Sequence, residues 1–442
     1  MEKSNLMEKI VSLCKRRGFV FPSSEIYGGI GGFYDFGPMG IELKNNIKQL
    51  WWQNFVLKRD DVVGIESSII MNRKVWQASG HEKGFVDELV ECKKCHLRFR
   101  LDEIEAQNPK LKCQIGGEHE MTEPKLFNAM FKTHVGVVED QESLNYLRPE
   151  TAQGMFADYK QVLETSRMSL PFGIAQIGKS FRNEINTKDW LFRVREFEIA
   201  EIEYFVRAGE DEKYFDQWLA DWKDFVLGLG IKKEDIKYFE HPKESLAHYS
   251  KRTVDINFHY PFGWKELTGL ANRTDFDLSS HEKASGRDMK YFDEESKEKF
   301  IPYVIEPTMG VERLMLAVLL SAYSESDGSD GREKGEVVLK FKPKIAPIKV
   351  GVFPLVKKDK LLEVARGIAK SLKEAGVMTF CDEAGSIGRR YRRQDEIGTP
   401  FCITVDYDTL KDNAVTIRER DSMKQERVKI SEIEKYITDK IK

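Results

Sequence analysis

Between residues 178 and 205 the chain reads Gly178-Lys-Ser-Phe-Arg-Asn-Glu184, then a short polar loop, then Phe192-Arg-Val-Arg-Glu-Phe197 and Glu-Ile-Ala-Glu-Ile-Glu-Tyr-Phe205. The last nine residues alternate. In an extended chain Glu198, Ala200, Ile202 and Tyr204 share one face, and Phe197, Ile199, Glu201 and Glu203 share the other. Two acids therefore lie on one face with an aromatic. Such a half-polar strand suits an antiparallel sheet with one side open to a ligand, and equally an edge strand with solvated glutamates. The arginines just upstream weigh toward an anionic ligand, because a planar, permanently charged guanidinium matches phosphate and carboxylate oxygens.

The rest of the chain limits the setting. Its 442 residues exceed what one hydrophobic core usually serves and predict two or three domains. With 41% hydrophobic and 32% charged residues and no apolar run of bilayer length, it reads as globular, with no membrane partner. The start, Met1-Glu2-Lys3-Ser4-Asn5, carries no secretory pattern, and six cysteines are too few for a disulfide scaffold, so a cytoplasmic location is expected. A net charge of -3 leaves no overall basic field, so any RNA surface must be a local patch.

The polar, Gly-rich stretch from Ser324 to Gly335 predicts a break near the end of the larger domain. Beyond it, Ile348–Phe353 reads as a buried strand, 358–375 as an amphipathic helix, Val377–Phe380 as a strand, Arg389–Ile397 as helical, Phe401–Val405 as extended and 431–441 as helical. That alternation describes a compact α/β unit.

The spacing Phe181, Arg182, Glu184, then Arg193, Phe197 and Glu201 resembles motif 2 of class II aminoacyl-tRNA synthetases. Glu306-Pro-Thr-Met-Gly-Val-Glu-Arg313, running into the apolar helix 314–320, resembles motif 3. Gly31-Gly-Phe-Tyr-Asp-Phe-Gly-Pro-Met-Gly40, leading into a helix over 41–55 that ends in Trp51 and Trp52, resembles motif 1 around Pro38. The resemblance implies an α+β fold: a class II antiparallel sheet core flanked by helices over 1–340, with a Cys-containing knob inserted near 90–120, and a C-terminal α/β anticodon-binding domain over 345–442. It places Arg182 on the α-phosphate of ATP and the amino-acid carboxylate, Glu184 near the adenine amino group, Phe197 against the adenine face, and Arg193 and Arg313 on the γ-phosphate. Asn183, Phe192, Val194, Arg195, Glu196, Gly310, Val311 and Glu312 complete the ATP site. Glu266-Leu267 resembles the element carrying an acid on the magnesium side, so ATP is expected with Mg2+. The motif 1 helix implies a homodimer, and its aromatic end suggests burial against a partner subunit.

Within class II the amino-acid pocket decides identity, and this one resembles that of the glycyl-tRNA synthetase family. Glu150 in Leu147-Arg-Pro-Glu-Thr-Ala-Gln153, Glu201, Glu306 and Thr308 match positions around the substrate ammonium. Arg100, Phe197, Glu198, Ile199, Ala200, Pro307, Met309 and Gly310 match further substrate-side positions. Thr308 stands where the family usually has serine, and the added methyl changes the pocket wall. Glycine offers no side chain to bind, so selectivity rests on gripping ammonium and carboxylate while excluding any Cβ.

Cys92-x-x-Cys95, then Cys113 and His119, are ligand types suited to a structural zinc, while Gly116 falls where the family often has a fourth sulfur. His119 or His96 completes the site, or the knob is metal-free. Cys14, Cys381 and Cys402 read as core residues. In the C-terminal unit Arg389, Arg390, Arg392 and Arg393 around Tyr391 suit phosphate and base contacts to single-stranded RNA, or form a solvated helix face. The expected reaction is glycine activation by ATP and transfer to tRNA(Gly). The alternatives are a silent synthetase-like RNA-binding accessory protein and a class II enzyme for another small amino acid.

Overall fold

The computed structural model describes residues 3–102, 104, 112–358 and 360–441. Its centre is a seven-stranded sheet in the order Ile236–Glu240, Arg252–Tyr260, Gly263–Thr274, Tyr303–Gly310, Glu196–Val206, Phe172–Phe181 and Val62–Gly64. Neighbours are antiparallel except the last pair. The alternating segment forms the Glu196–Val206 strand, flanked on both sides and not at an edge. Its even face, Ala200, Ile202 and Tyr204, enters the main core with Leu43, Ile47 and Trp51 of the Pro38–Trp52 helix, Trp218 and Trp222 of the Asp211–Gly228 helix and the apolar side of the Val311–Ala322 helix. Its odd face is left for the candidate site.

Two glycines show why the 31–40 segment is Gly-rich. A Cβ on Gly32, whose φ is +80°, would lie 2.3 Å from the Thr187 side chain, and one on Gly40 would lie 1.8 Å from the Phe19 carbonyl oxygen. The segment serves close chain packing at the start of a helix. Trp51 is buried within this same chain, T-shaped against Trp222 and tilted on Phe55, and Gly64 backs onto Trp52. The aromatic helix end read from sequence as a partner-facing surface is thus internal packing. An apolar ring cluster gains more from one complete core than from a marginal interface.

The expected knob holds a three-stranded sheet, Arg98–Arg100, Val86–Glu91 and Lys125–Asn128, and residues 103 and 105–111 of it lie outside the described residues. The C-terminal unit has its own core and a five-stranded sheet: Thr379–Cys381, Val350–Pro354 and Phe401–Val405 run parallel, then Ala414–Glu419 and Gln425–Lys429 antiparallel. Cys14 and Cys402 are buried, as read from sequence, while Cys381 is only half-buried at the edge of the C-terminal core. Among the described residues no helix is long and apolar enough to cross a membrane.

Candidate active site

One cavity of about 350 Å³ opens on the odd face of the Glu196–Val206 strand. One end is cationic. Arg182 follows the Phe172–Phe181 strand, donates from Nε to the Pro149 carbonyl at 3.1 Å and lies 5.3 Å over the Phe197 ring. Arg313, in the first turn of the Val311–Ala322 helix, lies 4.5 Å over Phe192 and 3.0 Å from Glu266. The register opposite Ile256 and Asn257 skips Leu267, and this bulge brings Glu266 to the cavity while Leu267 stays in the core. Arg193 stands 4.0 Å from Glu184. Arg313 holds Glu266 below the ordinary carboxylate range, against the opposing effect of burial.

The other end is acidic and enclosed. Register sets Thr308 beside Glu201, and small Gly269 and Ala271 beside Thr308 and Glu306, so two neighbouring strands offer room rather than bulk. Glu201 is fully engaged: one oxygen accepts from Thr308 Oγ1 at 3.1 Å, the other from the Thr151 N–H at 2.8 Å and the Thr151 hydroxyl. Glu150 accepts from Gln153 at 3.1 Å and lies 3.2 Å from His81 Nε2. Burial works against its charge, but His81, Arg273 and the Gln153 amide hold it well below the ordinary range. Buried Arg273 clasps Asp277 through two bonds of 2.7 and 2.9 Å, reaches Glu306 at 2.7 Å and rests 4.0 Å over the Tyr249 ring. Glu203 is fully buried, and among the described residues neither oxygen has a hydrogen-bond partner. Burial and then the Glu306 charge push it far up, toward the neutral acid. Five acids (Glu150, Glu201, Glu203, Glu306, Asp277) around one arginine make an environment short of positive charge, as an ammonium site must be.

Of the residues named from sequence, the cavity brings together Arg100, Glu150, Arg182, Glu184, Phe192, Arg193, Val194, Phe197, Ile199, Glu201, Glu266, Glu306, Thr308, Met309, Gly310, Glu312 and Arg313. Others lie elsewhere. Glu198 and Ala200 are on the far face of the strand, where Glu198 meets Lys44 and Lys48, and Pro307 alternates away from Glu306 and Thr308. Arg195 is tied to the carbonyls of Glu184 and Gly31, Glu196 to Lys179, and the Asn183 N–H to the Ala129 carbonyl. Leu267 and Val311 are buried outside the lining. Glu312 reaches the rim, but its carboxylate is bonded to Lys44 and to the Glu198 N–H. Tyr249 and Arg273 line the site and His81 backs it, and none was singled out from sequence. The alternation Gly269, Ala271, Arg273, which places a cation in step with two small residues, is the sequence signal by which Arg273 could have been found.

In the basic run, Arg390 is buried with its guanidinium on the carbonyls of Gly385, Pro354 and Glu383. The Tyr391 hydroxyl is bonded to Thr404 at 2.6 Å and its ring packs on Phe353. Neither is placed to touch RNA, because internal carbonyls and a hydroxyl already satisfy them. Arg393 pairs with Asp382 and Arg392 with Glu333 and Glu336, while Arg389 is exposed.

In the knob, the ligand atoms of Cys92, Cys95, Cys113 and His119 lie within 4.8 Å of one another, with 4.0 Å between the sulfurs of Cys92 and Cys113 and 3.6 Å from Cys95 Sγ to His119 Nδ1. Tetrahedral zinc with bonds of about 2.3 Å to sulfur and about 2.0 Å to nitrogen spans edges of roughly 3.5–3.8 Å, so the four residues fit. Burial opposes the Cys92 thiolate, but N–H groups of Cys95, Lys94 and Glu120 with His119 draw it down to about 5. His96 instead pairs with Glu91 at 3.2 Å.

An antiparallel sheet with paired arginines at one end of its pocket is the arrangement of a class II aminoacyl-tRNA synthetase. The family model for the tRNA synthetase class II core domain (G, H, P, S and T) matches residues 131–322, and that for the anticodon binding domain matches 349–440. A solved prolyl-tRNA synthetase from Cryptosporidium parvum shares the fold, with a TM-score of 0.65 over 98% of this chain and 77% of that one at 14% identity. The glycine–tRNA ligase of Thermobifida fusca is 51% identical across 99% of both chains, and that of Streptomyces coelicolor 52% across 98% of both. The chain belongs to the glycine–tRNA ligase family.

Proposed function

We propose that this protein activates glycine with MgATP to glycyl-adenylate and transfers glycine to the 3' end of tRNA(Gly). The observation that carries the reading is the convergence of Glu150, Glu201 and Glu306 at the closed end of a cavity whose other end holds Arg182 and Arg313. The acids receive the ammonium. Arg182 then meets both the glycine carboxylate and the α-phosphate it attacks, stabilising the charge that builds there. Arg193 and Arg313 hold the far phosphates, Phe197 the adenine, and Glu266 is the acid on the magnesium side. Magnesium arrives with ATP and neutralises charge on its phosphate oxygens. No protein nucleophile is required, and positioning supplies the rate.

The chain works as two units, 1–340 and 345–442, in the cytoplasm as a homodimer, with the second unit reading tRNA through Arg389 and Arg392 among others. Cys92, Cys95, Cys113 and His119 would hold a structural zinc in the knob, which would tie its strands and loops together. Amino-acid-dependent pyrophosphate exchange across all twenty amino acids tests the central reading: glycine alone should support exchange. Equal exchange with alanine, serine or proline would overturn it.

A further inference from the structure

The Pro38–Trp52 helix carries a buried charge that the catalytic reading leaves unused. Lys44 is 2% exposed, lies 4.1 Å over the Phe36 ring, and bonds both Glu312 Oε1 and, at 2.8 Å, Glu198 Oε2. The other oxygen of Glu312 accepts the Glu198 N–H at 2.8 Å, and the other oxygen of Glu198 accepts from Lys48 at 3.0 Å. The cluster therefore ties three elements at one point. Glu198 directly follows Phe197, and Glu312 directly precedes Arg313.

Stability alone is a poor account of such a cluster, because apolar side chains of similar volume generally replace buried ion pairs at little cost. What an ion cluster adds is geometry: a lysine with two fixed carboxylates permits one spacing of the elements that carry them. Here that spacing separates the Phe197 ring from the Arg313 guanidinium, the two groups assigned to opposite ends of ATP. We propose that Lys44 is a positioning residue for ATP, setting the distance between the strand that presents Phe197 and the helix that presents Arg313 without touching the nucleotide. The proposal rests on the ATP reading given above. It makes the Pro38–Trp52 helix part of the nucleotide site from behind, and predicts that ATP and glycine respond differently to its loss, since Glu150, Glu201 and Glu306 make no bond to this cluster.

The test is Lys44→Met in the full-length protein, read by calorimetric titration with MgATP alone and by pyrophosphate exchange with the two KM values measured separately. ATP binding should weaken at least tenfold and the KM for ATP rise with it, while the KM for glycine stays within twofold. A lower Tm with both KM values unchanged would reduce Lys44 to a structural residue, and a parallel rise in both would show general loosening; either overturns the proposal. Should Lys44→Met fail to fold, Glu198→Gln weakens the same bridge at its more exposed end and is read in the same way. Failure of the unaltered protein to bind MgATP would count against the ATP reading itself, and normal binding by both proteins against Lys44 alone.

Discussion

On the proposed reading both halves of the substrate pair converge on Arg182, which lines the cavity, and its loss should be felt in the chemical step. Arg182→Ala should lower glycine-dependent pyrophosphate exchange by roughly a thousandfold, the upper range for removing one preorganised donor from a developing charge. Steady-state exchange at saturating MgATP measures this directly. Thr308 acts through another group. Its hydroxyl is one of the donors that fix Glu201, so Thr308→Val, which keeps shape and removes the donor, should raise the KM for glycine by roughly five- to 150-fold, as about 1–3 kcal/mol for an unmet buried acceptor implies. The acid cluster also sets a pH dependence. Burial, with the Glu201 and Glu150 charges added and Arg273 opposing, pushes Glu306 up to about 8. Its folded value lies above its ordinary one, so the folded protein keeps a proton that the unfolded chain has lost, and this group's contribution to stability declines as pH rises from about 4.5 to about 8. Glycine binding has the opposite sign, because an ammonium favours the ionised acid. The KM for glycine should therefore fall as pH rises from about 6 to about 8, by no more than about a decade per unit for one proton; a flat profile would contradict it.

Elements were more legible than the partners of their charges. Period two separated the faces of the Glu196–Val206 strand correctly, and by that logic alone Glu198 and Ala200 belonged to the core side; assigning them to the pocket followed a motif as a span instead of as a face. The Ile387–Ile397 helix failed differently. Its arginines read as an open basic surface because Asp382, Glu333 and Glu336 lie outside the helix in sequence, and sequence spacing cannot show which acids the fold brings alongside. The hairpin of Ala414–Glu419 and Gln425–Lys429 escaped notice because its second strand exposes most of its charged residues and shows little apolar alternation. The knob was legible in ligand types, and the fold brings His119, the histidine named first from sequence, to the three sulfurs, while His96 turns to Glu91. This yields a prediction at the element scale. The purified protein should contain about one zinc per chain, released by thiol modification and reduced in Cys113→Ala, as four-ligand closure of a structural site requires. Elemental analysis finding no zinc in protein expressed with ample metal would favour a metal-free knob.

At the scale of the whole molecule, the polar stretch 324–335 turned out to join two units more firmly than its composition suggested. Tyr323–Glu325 pairs with Val337–Leu339, and between them buried Arg332 bonds Asp395 at 3.0 Å and the Arg420 carbonyl at 2.6 Å, so the turn is anchored to the C-terminal unit. Arg420 returns the contact by donating to the Phe341 carbonyl at 2.7 Å. The basic side chains beyond this junction do not line the catalytic cavity. Arg389 is exposed, and Arg392 reaches back across the junction to Glu333 and Glu336, a rim pair that solvent screens and that phosphate can displace. Arg389→Gln with Arg392→Gln should leave glycine-dependent exchange within about twofold, because neither side chain lines the cavity. Charging of tRNA should fall, and the salt dependence of tRNA binding should become shallower by about 1.4 units of logarithmic slope, as two lost contacts of about 0.7 each imply for single-stranded RNA. Filter binding across a salt series beside an aminoacylation assay makes the comparison. An unchanged slope with normal charging would move the RNA surface to other residues of the C-terminal unit, while a fall in exchange matching the fall in charging would mean that the Arg392 pairs hold the junction on which the catalytic unit depends.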